Sequence, residues 1–188
     1  MRRGVQRLNN KRNEKLEDLY KKHAKSLYYY LYQISGSSVV AEDLVQETFY
    51  KATISLSFYR DYEVKSWLFK VARHAYLDEW RKRQRWEWVP FIDSFHKRTD
   101  MLSPFEQPER AITNKESENE LKILLNQLNE RYRTILYLRE IEELPYKAIG
   151  VILDMNENQV KVTLHRARNR KHKLATKQFY KERNEIDS

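Results

Sequence analysis

Basic and polar side chains recur at helical spacing near the end of this 188-residue chain. At about 100° per residue along a helix, Val160, Leu164 and Ala167 share one side. The opposite side carries Lys161, Val162, His165, Arg166 and Asn169. Lysine and arginine can contact phosphates or the edge of guanine, and valine can contact the methyl group of thymine. This face is suited to duplex DNA, although a basic amphipathic hairpin without that role would show the same pattern.

The residues just before this face predict the turn of a helix-turn-helix. Two helices that meet at a steep angle need a small residue at their closest approach, and Gly150 provides one. Asp154 stands where the turn requires left-handed backbone, which aspartate adopts more readily than most residues. Ile149, Leu153 and Met155 can pack the second helix onto the first. We therefore predict two short helices, over residues 146–153 and 157–173, with a turn between them.

A second cationic row lies in the first half of the chain, on a helix predicted for residues 65–85. The apolar side of this helix holds Leu68, Val71, Ala72 and Ala75. Its other side holds Lys70, Arg73, His74, Leu77, Arg81 and Arg85, and the nearby aromatic residues are Phe58, Tyr59, Tyr62 and Trp67. Single-stranded nucleic acid requires positive charge beside flat aromatic faces. The alternative, that Phe58 and Trp67 belong to the core and the row is only solvated, stays open.

The net charge of +9 is concentrated in two parts of the chain. Residues 1–86 contain 18 basic and 10 acidic residues, and residues 161–188 contain 9 and 3. The residues between these two parts carry more acidic than basic side chains. Two separate basic blocks favour two contacts with a polyanion over a general effect on solubility.

Several functions are excluded by the residue types that are scarce. The three glycines stand far apart, so the chain contains no glycine-rich phosphate loop. The absence of cysteine excludes disulfides, thiolate zinc sites and cysteine catalysis. The five histidines show no metal-ligand spacing. We therefore expect a protein that is not an enzyme and that uses no metal, no cofactor and no small-molecule substrate.

Low glycine content and helical periodicity predict an all-α fold. We expect the first helix over residues 16–34 to end at Gly36, and Ser37 or Ser38 to cap a second helix with Glu42 and Asp43 in its first turn. Residues 58–64 are predicted to form a loop. No segment has the length and apolarity of a membrane span or a signal peptide, so we expect a cytoplasmic protein.

Two small helical domains joined by a flexible linker explain the order of these segments. Three prolines and a loss of periodicity mark the linker at residues 87–115. The predicted divisions are a loose basic N-terminal tail at 1–15, a first domain at 16–86, the linker, a second domain at 116–175 with the helix-turn-helix, and a C-terminal tail at 176–188.

Three stretches of the chain stand out together. They are Ala-Glu-Asp-Leu-Val-Gln-Glu-Thr-Phe at residues 41–49, Ser-Trp-Leu-Phe-Lys-Val-Ala-Arg-His-Ala-Tyr-Leu-Asp-Glu-Trp-Arg-Lys at 66–82 and Val-Lys-Val-Thr-Leu-His-Arg-Ala-Arg at 160–168. In combination they resemble a known family, the extracytoplasmic-function group of bacterial RNA polymerase sigma factors. The first is similar to the family's polymerase-docking signature, the second to its −10 region and the third to the end of its −35 reading helix. Their order and spacing match the family over residues 16–175.

The resemblance implies a subunit that directs RNA polymerase to promoter DNA and opens the −10 element. The implied contacts with the β′ clamp helices are Glu42, Asp43, Gln46 and Glu47. The implied −10 contacts are Phe58, Arg60, Asp61, Tyr62, Trp67, Lys70, Val71, Arg73, His74 and Arg81. The implied −35 contacts are Gln159, Lys161, Val162, His165, Arg166 and Asn169. The second domain would also bind the β flap, and an anti-sigma factor, often membrane-embedded in the family, would be the regulator.

The sequence departs from the family pattern at three places. His74 stands where asparagine is usual, Asn158-Gln159 replaces Gly-Thr, and Val162-Thr163 replaces Ser-Arg. These departures bear on base preference at both promoter elements, so the recognised promoter sequence does not follow from the resemblance.

Two other interpretations stay open at this stage. A stand-alone helix-turn-helix regulator that binds duplex operators explains residues 116–175 but gives the aromatic and basic first domain no role. The second interpretation is an interaction protein whose basic helices bind acidic proteins or RNA. Recovery of the β and β′ subunits by native affinity capture would separate a sigma factor from the latter.

Overall fold

The computed structural model describes residues 2–55, 61–86 and 125–186, and all regular elements in these ranges are helical. The predicted all-α class is therefore confirmed. The chain divides into two compact units, Met1–Phe105 and Glu106–Ser188. This division falls inside the predicted linker, but residues 87–115 lie outside the described residues, and the domain bounds stay a prediction.

The described part of the first unit consists of three helices, α1 (Arg2–Ser35), α2 (Ser38–Ser55) and α3 (Asp61–Trp86). Each helix packs against the other two. Their fully buried side chains form one core, which contains Leu27, Tyr30, Leu31, Ala41, Val45, Ala52, Val64, Leu68, Phe69 and Ala72. The ring centroids of Tyr30 and Phe69 lie 5.3 Å apart, an aromatic contact that joins α1 to α3.

A left-handed glycine and a serine cap make the turn between α1 and α2. Gly36 has a φ of 73°, and its N–H donates to the Tyr32 carbonyl oxygen at 2.8 Å. Ser37 Oγ accepts a hydrogen bond from the Val40 N–H at 3.4 Å, as expected of a cap. Both predictions for this turn are confirmed. Glu42 and Asp43, however, lie beyond the first turn of α2, because that helix begins at Ser38.

The helices extend further than predicted at three points. α1 begins at Arg2 and so runs through the expected N-terminal tail, in a stretch without proline that is rich in the good helix formers arginine and lysine. The last helix continues to Ile186, through most of the expected C-terminal tail. Asp61 begins α3 within the predicted loop, where the full burial of Val64 favours helical packing over an exposed loop.

The described part of the second unit contains α4 (Glu130–Leu136), a π-helical turn (Tyr137–Ile141), α5 (Tyr146–Leu153) and α6 (Glu157–Ile186). Asn129 caps α4, because its Oδ1 accepts from the Tyr132 N–H at 2.9 Å. Both α4 and α5 pack against α6. The shared core contains Ile135, Leu138, Ile149, Ile152, Val160, Leu164 and Ala167, each at most 2% exposed.

Candidate nucleic-acid interface

The turn between α5 and α6 has the geometry that the sequence predicts. Asp154 ends α5 in the left-handed conformation, with φ 54° and ψ 50°. The N–H of Met155 donates to the Gly150 carbonyl oxygen at 2.9 Å. A Cβ on Gly150 would lie 2.5 Å from the carbonyl oxygen of Met155. Only glycine fits there, because that oxygen belongs to the backbone and cannot swing away.

The two sides of α6 divide as predicted. Val160 and Ala167 are fully buried and Leu164 is 2% exposed. Five side chains are exposed, and together we call them the reading face: Lys161, Val162, His165, Arg166 and Asn169. His165 and Asn169 are one helical turn apart, and a hydrogen bond of 3.0 Å joins His165 Nε2 and Asn169 Nδ2. This face therefore presents cationic, amide, imidazole and methyl groups from a helix that is anchored on its inner side by Val160, Leu164 and Ala167.

Gln159 has a structural role that the sequence analysis missed. Its Oε1 accepts from the Asn156 N–H, and its own N–H donates to Asn156 Oδ1, both at 2.9 Å. This reciprocal pair is a capping box at the start of α6. The signal was present in the sequence as a capping residue followed three positions later by glutamine. Because its amide oxygen is engaged in the cap, Gln159 holds the helix start in place rather than projecting freely toward DNA.

Two contacts from outside α6 support the helix that carries the reading face. The Lys161 ammonium lies 5.7 Å from the centroid of the Tyr146 ring, and the Arg139 guanidinium lies 5.1 Å from the same centroid. Further along α6, Arg168 Nε and an Arg168 terminal nitrogen donate to Glu140 Oε1 at 3.0 and 2.6 Å. Both supports come from the π-helical turn and α5, so sequence spacing along α6 could not reveal them.

In the first unit, α3 brings most of the described −10 candidates onto one surface. At 3.6 residues per turn, they fall within an arc of about 100°, and we call them the α3 row: Trp67, Lys70, Val71, His74 and Arg81. The side chains of Trp67, Lys70 and Val71 are half-buried, and those of His74 and Arg81 are exposed. Arg81 also pairs with Asp78 at 2.8 Å. The surface therefore combines aromatic, apolar and cationic groups.

Arg73 does not belong to this row, and its predicted place there is wrong. Its side chain is only 7% exposed, and it points about 120° away from Trp67 around the helix. The buried side of α3 also includes Phe69 and Tyr76, which the sequence analysis left out. The reason is that α3 packs against both α1 and α2, so a wider arc of the helix is covered than one partner would require.

The remaining −10 candidates stand before α3 or in its first turn. Phe58 and Arg60 lie outside the described residues. Asp61 and Tyr62 are the first two residues of α3, about one and a half helical turns before Trp67.

The outer side of α2 mixes acidic and apolar groups. Asp43, Gln46 and Glu47 are exposed and Glu42 is half-buried, while Glu47 pairs with Lys51 at 2.7 Å. The same side carries three apolar residues that the sequence analysis missed: Val39, Tyr50 and Ile54, which are 39%, 67% and 62% exposed. Their spacing relative to Asp43 and Gln46 follows the helical repeat. We call these seven residues the α2 face.

Comparison with known proteins assigns both units. Residues 19–86 match the family model described as Sigma-70 region 2, and residues 119–170 match Sigma-70, region 4. The ECF RNA polymerase sigma factor SigM of Bacillus subtilis (strain 168) is 32% identical over 159 residues, which are 82% of this chain and 91% of that protein. This chain belongs to the extracytoplasmic-function sigma factors.

Other relatives of this sigma factor agree in extent and fold. RNA polymerase sigma factor YlaC of Bacillus subtilis (strain 168) is 29% identical over 174 residues, which are 92% of this chain and 99% of that protein. The solved structure of the sigma factor RpoE in complex with the anti-sigma factor NepR from Bartonella quintana has a TM-score of 0.68 at 24% identity. It covers 87% of this chain and 98% of that chain, and the likeness shows a shared helical fold.

Family membership also decides between the interpretations left open by the sequence. A stand-alone operator-binding regulator accounts only for the second unit, whereas the sigma factor family accounts for both. The helices in the described part of this sigma factor include none that is long and apolar enough to cross a membrane. In the same residues, no three side chains are grouped so that they could hold a metal ion.

Proposed function

We propose that this sigma factor reads the −35 duplex with the reading face of α6 and separates the −10 strands with the α3 row. The observation that carries the proposal is the exposed reading face, which stands on a fully buried seam and on the Gly150 turn. Lys161 and Arg166 supply charge for phosphates or guanine edges, and Val162 supplies an apolar contact for a thymine methyl. Gln159 stays outside this set because it caps the helix.

For the −10 element we propose that an unpaired base stacks against Trp67 while Lys70, His74 and Arg81 follow the backbone. Base flipping costs a few kcal/mol, and stacking on an aromatic side chain returns about 1–3 kcal/mol per base. Phe58, Arg60, Asp61 and Tyr62 complete the proposed pocket on the strength of the family resemblance. Arg73 is omitted because it is buried.

We propose that the α2 face binds the β′ clamp helices of the polymerase and that the second unit binds the β flap. Asp43, Gln46 and Glu47 offer charge and hydrogen bonds, and the neighbouring Tyr50 and Ile54 offer exposed apolar area. Interfaces of this kind combine an apolar centre with charged surroundings. The polymerase performs the chemistry, so the sigma factor itself is proposed to have no catalytic activity. An anti-sigma factor is its proposed regulator, by analogy with the RpoE complex.

Replacement of Trp67 by alanine tests whether strand opening and polymerase binding depend on different residues of the first unit. Trp67→Ala should leave binding to core polymerase unchanged and lower the permanganate reactivity of the −10 thymines about tenfold, as expected from the loss of one stacked base. Trp80→Ala is the matched control, because Trp80 is a partly exposed tryptophan on the same helix but outside the α3 row. It should behave like the unaltered protein.

A template with mismatched −10 strands sharpens the test. Because its strands are already separated, the defect of Trp67→Ala should become smaller on this template. Equal permanganate reactivity of Trp67→Ala and Trp80→Ala on matched DNA would show that Trp67 does not assist strand opening.

A further inference from the structure

An open cleft of about 430 Å³ lies in the second unit where α4 meets α6. It is lined by Asn129, Glu130, Arg131, Tyr132, Thr163 and Arg166. Arg166 belongs to the reading face, but the other five lining residues do not. The cleft therefore borders the reading face and extends it toward α4.

The side chains that line the cleft are suited to bind one phosphate group. Arg131 and Arg166 are exposed, and Thr163 and Tyr132 are half-buried along the cleft. The amide and carboxylate side chains of the lining are engaged locally: Asn129 Oδ1 accepts from the Tyr132 N–H and Glu130 Oε1 accepts from the Thr134 hydroxyl, both at 2.9 Å. Two arginines against one glutamate leave the cleft with a net positive charge. Guanidinium groups form strong, charge-assisted hydrogen bonds to phosphate oxygens, and a hydroxyl can add a further donor.

The position of the cleft indicates which phosphate it meets. A helix with its side chains is about 10–12 Å across and fills a major groove that is about 12 Å wide. Groups that flank such a helix consequently meet the sugar-phosphate strand at the rim of the groove. We propose that the cleft binds a backbone phosphate of duplex DNA beside the −35 element, with Arg131 and Thr163 as contacts in addition to Arg166.

This inference rests on the proposed −35 reading by α6, and its test separates the two. The measurement is the affinity of the reconstituted holoenzyme for a promoter duplex at several KCl concentrations. Each phosphate contact contributes about 0.9 to the slope of log affinity against log salt concentration. Arg131→Ala should lower that slope by about one and weaken binding at 50 mM KCl, while the ratio of affinities for intact and altered −35 sequences stays unchanged.

Two further variants make the outcome specific to the cleft. Thr163→Val removes only the hydroxyl and should weaken binding without changing the base preference. Lys171→Ala removes an exposed positive charge from α6 outside both the cleft and the reading face, and it should leave the slope as it is.

Different results of this experiment would contradict the two proposals. If the unaltered holoenzyme shows no preference for the intact −35 sequence, the proposed −35 reading itself is wrong. If that preference is present but Arg131→Ala leaves the slope unchanged, or lowers it no more than Lys171→Ala does, the cleft does not bind phosphate. A changed base preference in Arg131→Ala would also overturn the inference, because it would indicate a base contact.

Discussion

The Lys161 ammonium lies 5.7 Å from the centroid of the Tyr146 ring. Lys161 is in the first turns of the helix that carries the reading face, whereas Tyr146 is the first residue of α5. Arg139 approaches the same ring at 5.1 Å. A cation near an aromatic face is attracted to the ring, so Tyr146 connects three elements of the second unit and restricts where Lys161 can reach.

Tyr146 is predicted to position Lys161 for contact with DNA. Tyr146→Leu should weaken binding of the holoenzyme to the −35 duplex about two- to fivefold, since an exposed cation–π contact contributes about 0.5–1 kcal/mol. Tyr146→Phe keeps the ring and should retain the affinity. Fluorescence anisotropy with labelled promoter duplex measures both. Similar affinities for the leucine and phenylalanine variants would mean that the ring does not position Lys161.

Gly150→Ala is predicted to destabilise the second unit and leave the first intact. The added Cβ would meet the Met155 carbonyl oxygen at 2.5 Å, and relieving that overlap should cost about 2–4 kcal/mol. Native-state hydrogen exchange at buried amides of α5 and α6 measures the loss, with amides of α1 to α3 as an internal reference. Val151→Ala, at a neighbouring residue that is 50% exposed, should change the same amides by less than about 0.5 kcal/mol.

Charge reversal on the α2 face is predicted to disrupt assembly with the polymerase. Asp43→Arg places a positive charge at an exposed position of that face and should weaken binding to purified core polymerase about tenfold or more, because like charges across an interface cost several kcal/mol. Asp18→Arg makes the same substitution at an exposed position of α1 and serves as the control. If both variants bind core polymerase equally well, the interface lies elsewhere.

Gln159 is predicted to act through the capping box and not through a base contact. Gln159→Ala should lower the protection of the first amides of α6 by about 0.5–1 kcal/mol in hydrogen exchange without DNA, whereas Gln159→Glu should restore it, because glutamate accepts the same hydrogen bond. An unchanged exchange rate in the alanine variant would contradict the structural role. In that case the predicted contact with DNA would again be the better account of this residue.

The helix-turn-helix shows how much of the site is local in origin. The left-handed Asp154, the close approach at Gly150 and the division of α6 into a buried and an exposed side all follow from residue type and helical repeat. Each depends on neighbours within one or two turns of chain, and each is observed. The capping box of Asn156 and Gln159 is equally local and could have been predicted from its spacing.

Features that depend on which elements meet in space behave differently. A single helical wheel assigns Arg73 to the cationic row, yet the residue is buried because two helices, rather than one, cover α3. Tyr50 and Ile54 are exposed for the opposite reason. Among the described residues of the first unit, no helix covers the side of α2 that carries them.

The sequence by itself determined the all-α class and the reading face, because helical repeat and turn geometry are properties of neighbouring residues, and its resemblance to the family indicated the two regions of the sigma factor. Only the tertiary structure decided that Tyr146 stands by Lys161, that Glu140 holds Arg168 and that Arg131 shares a cleft with Thr163 and Arg166. These contacts join side chains that are far apart in the chain. They exist because α4, the π-helical turn and α5 pack around α6, and no spacing along one helix encodes which partner will cover it.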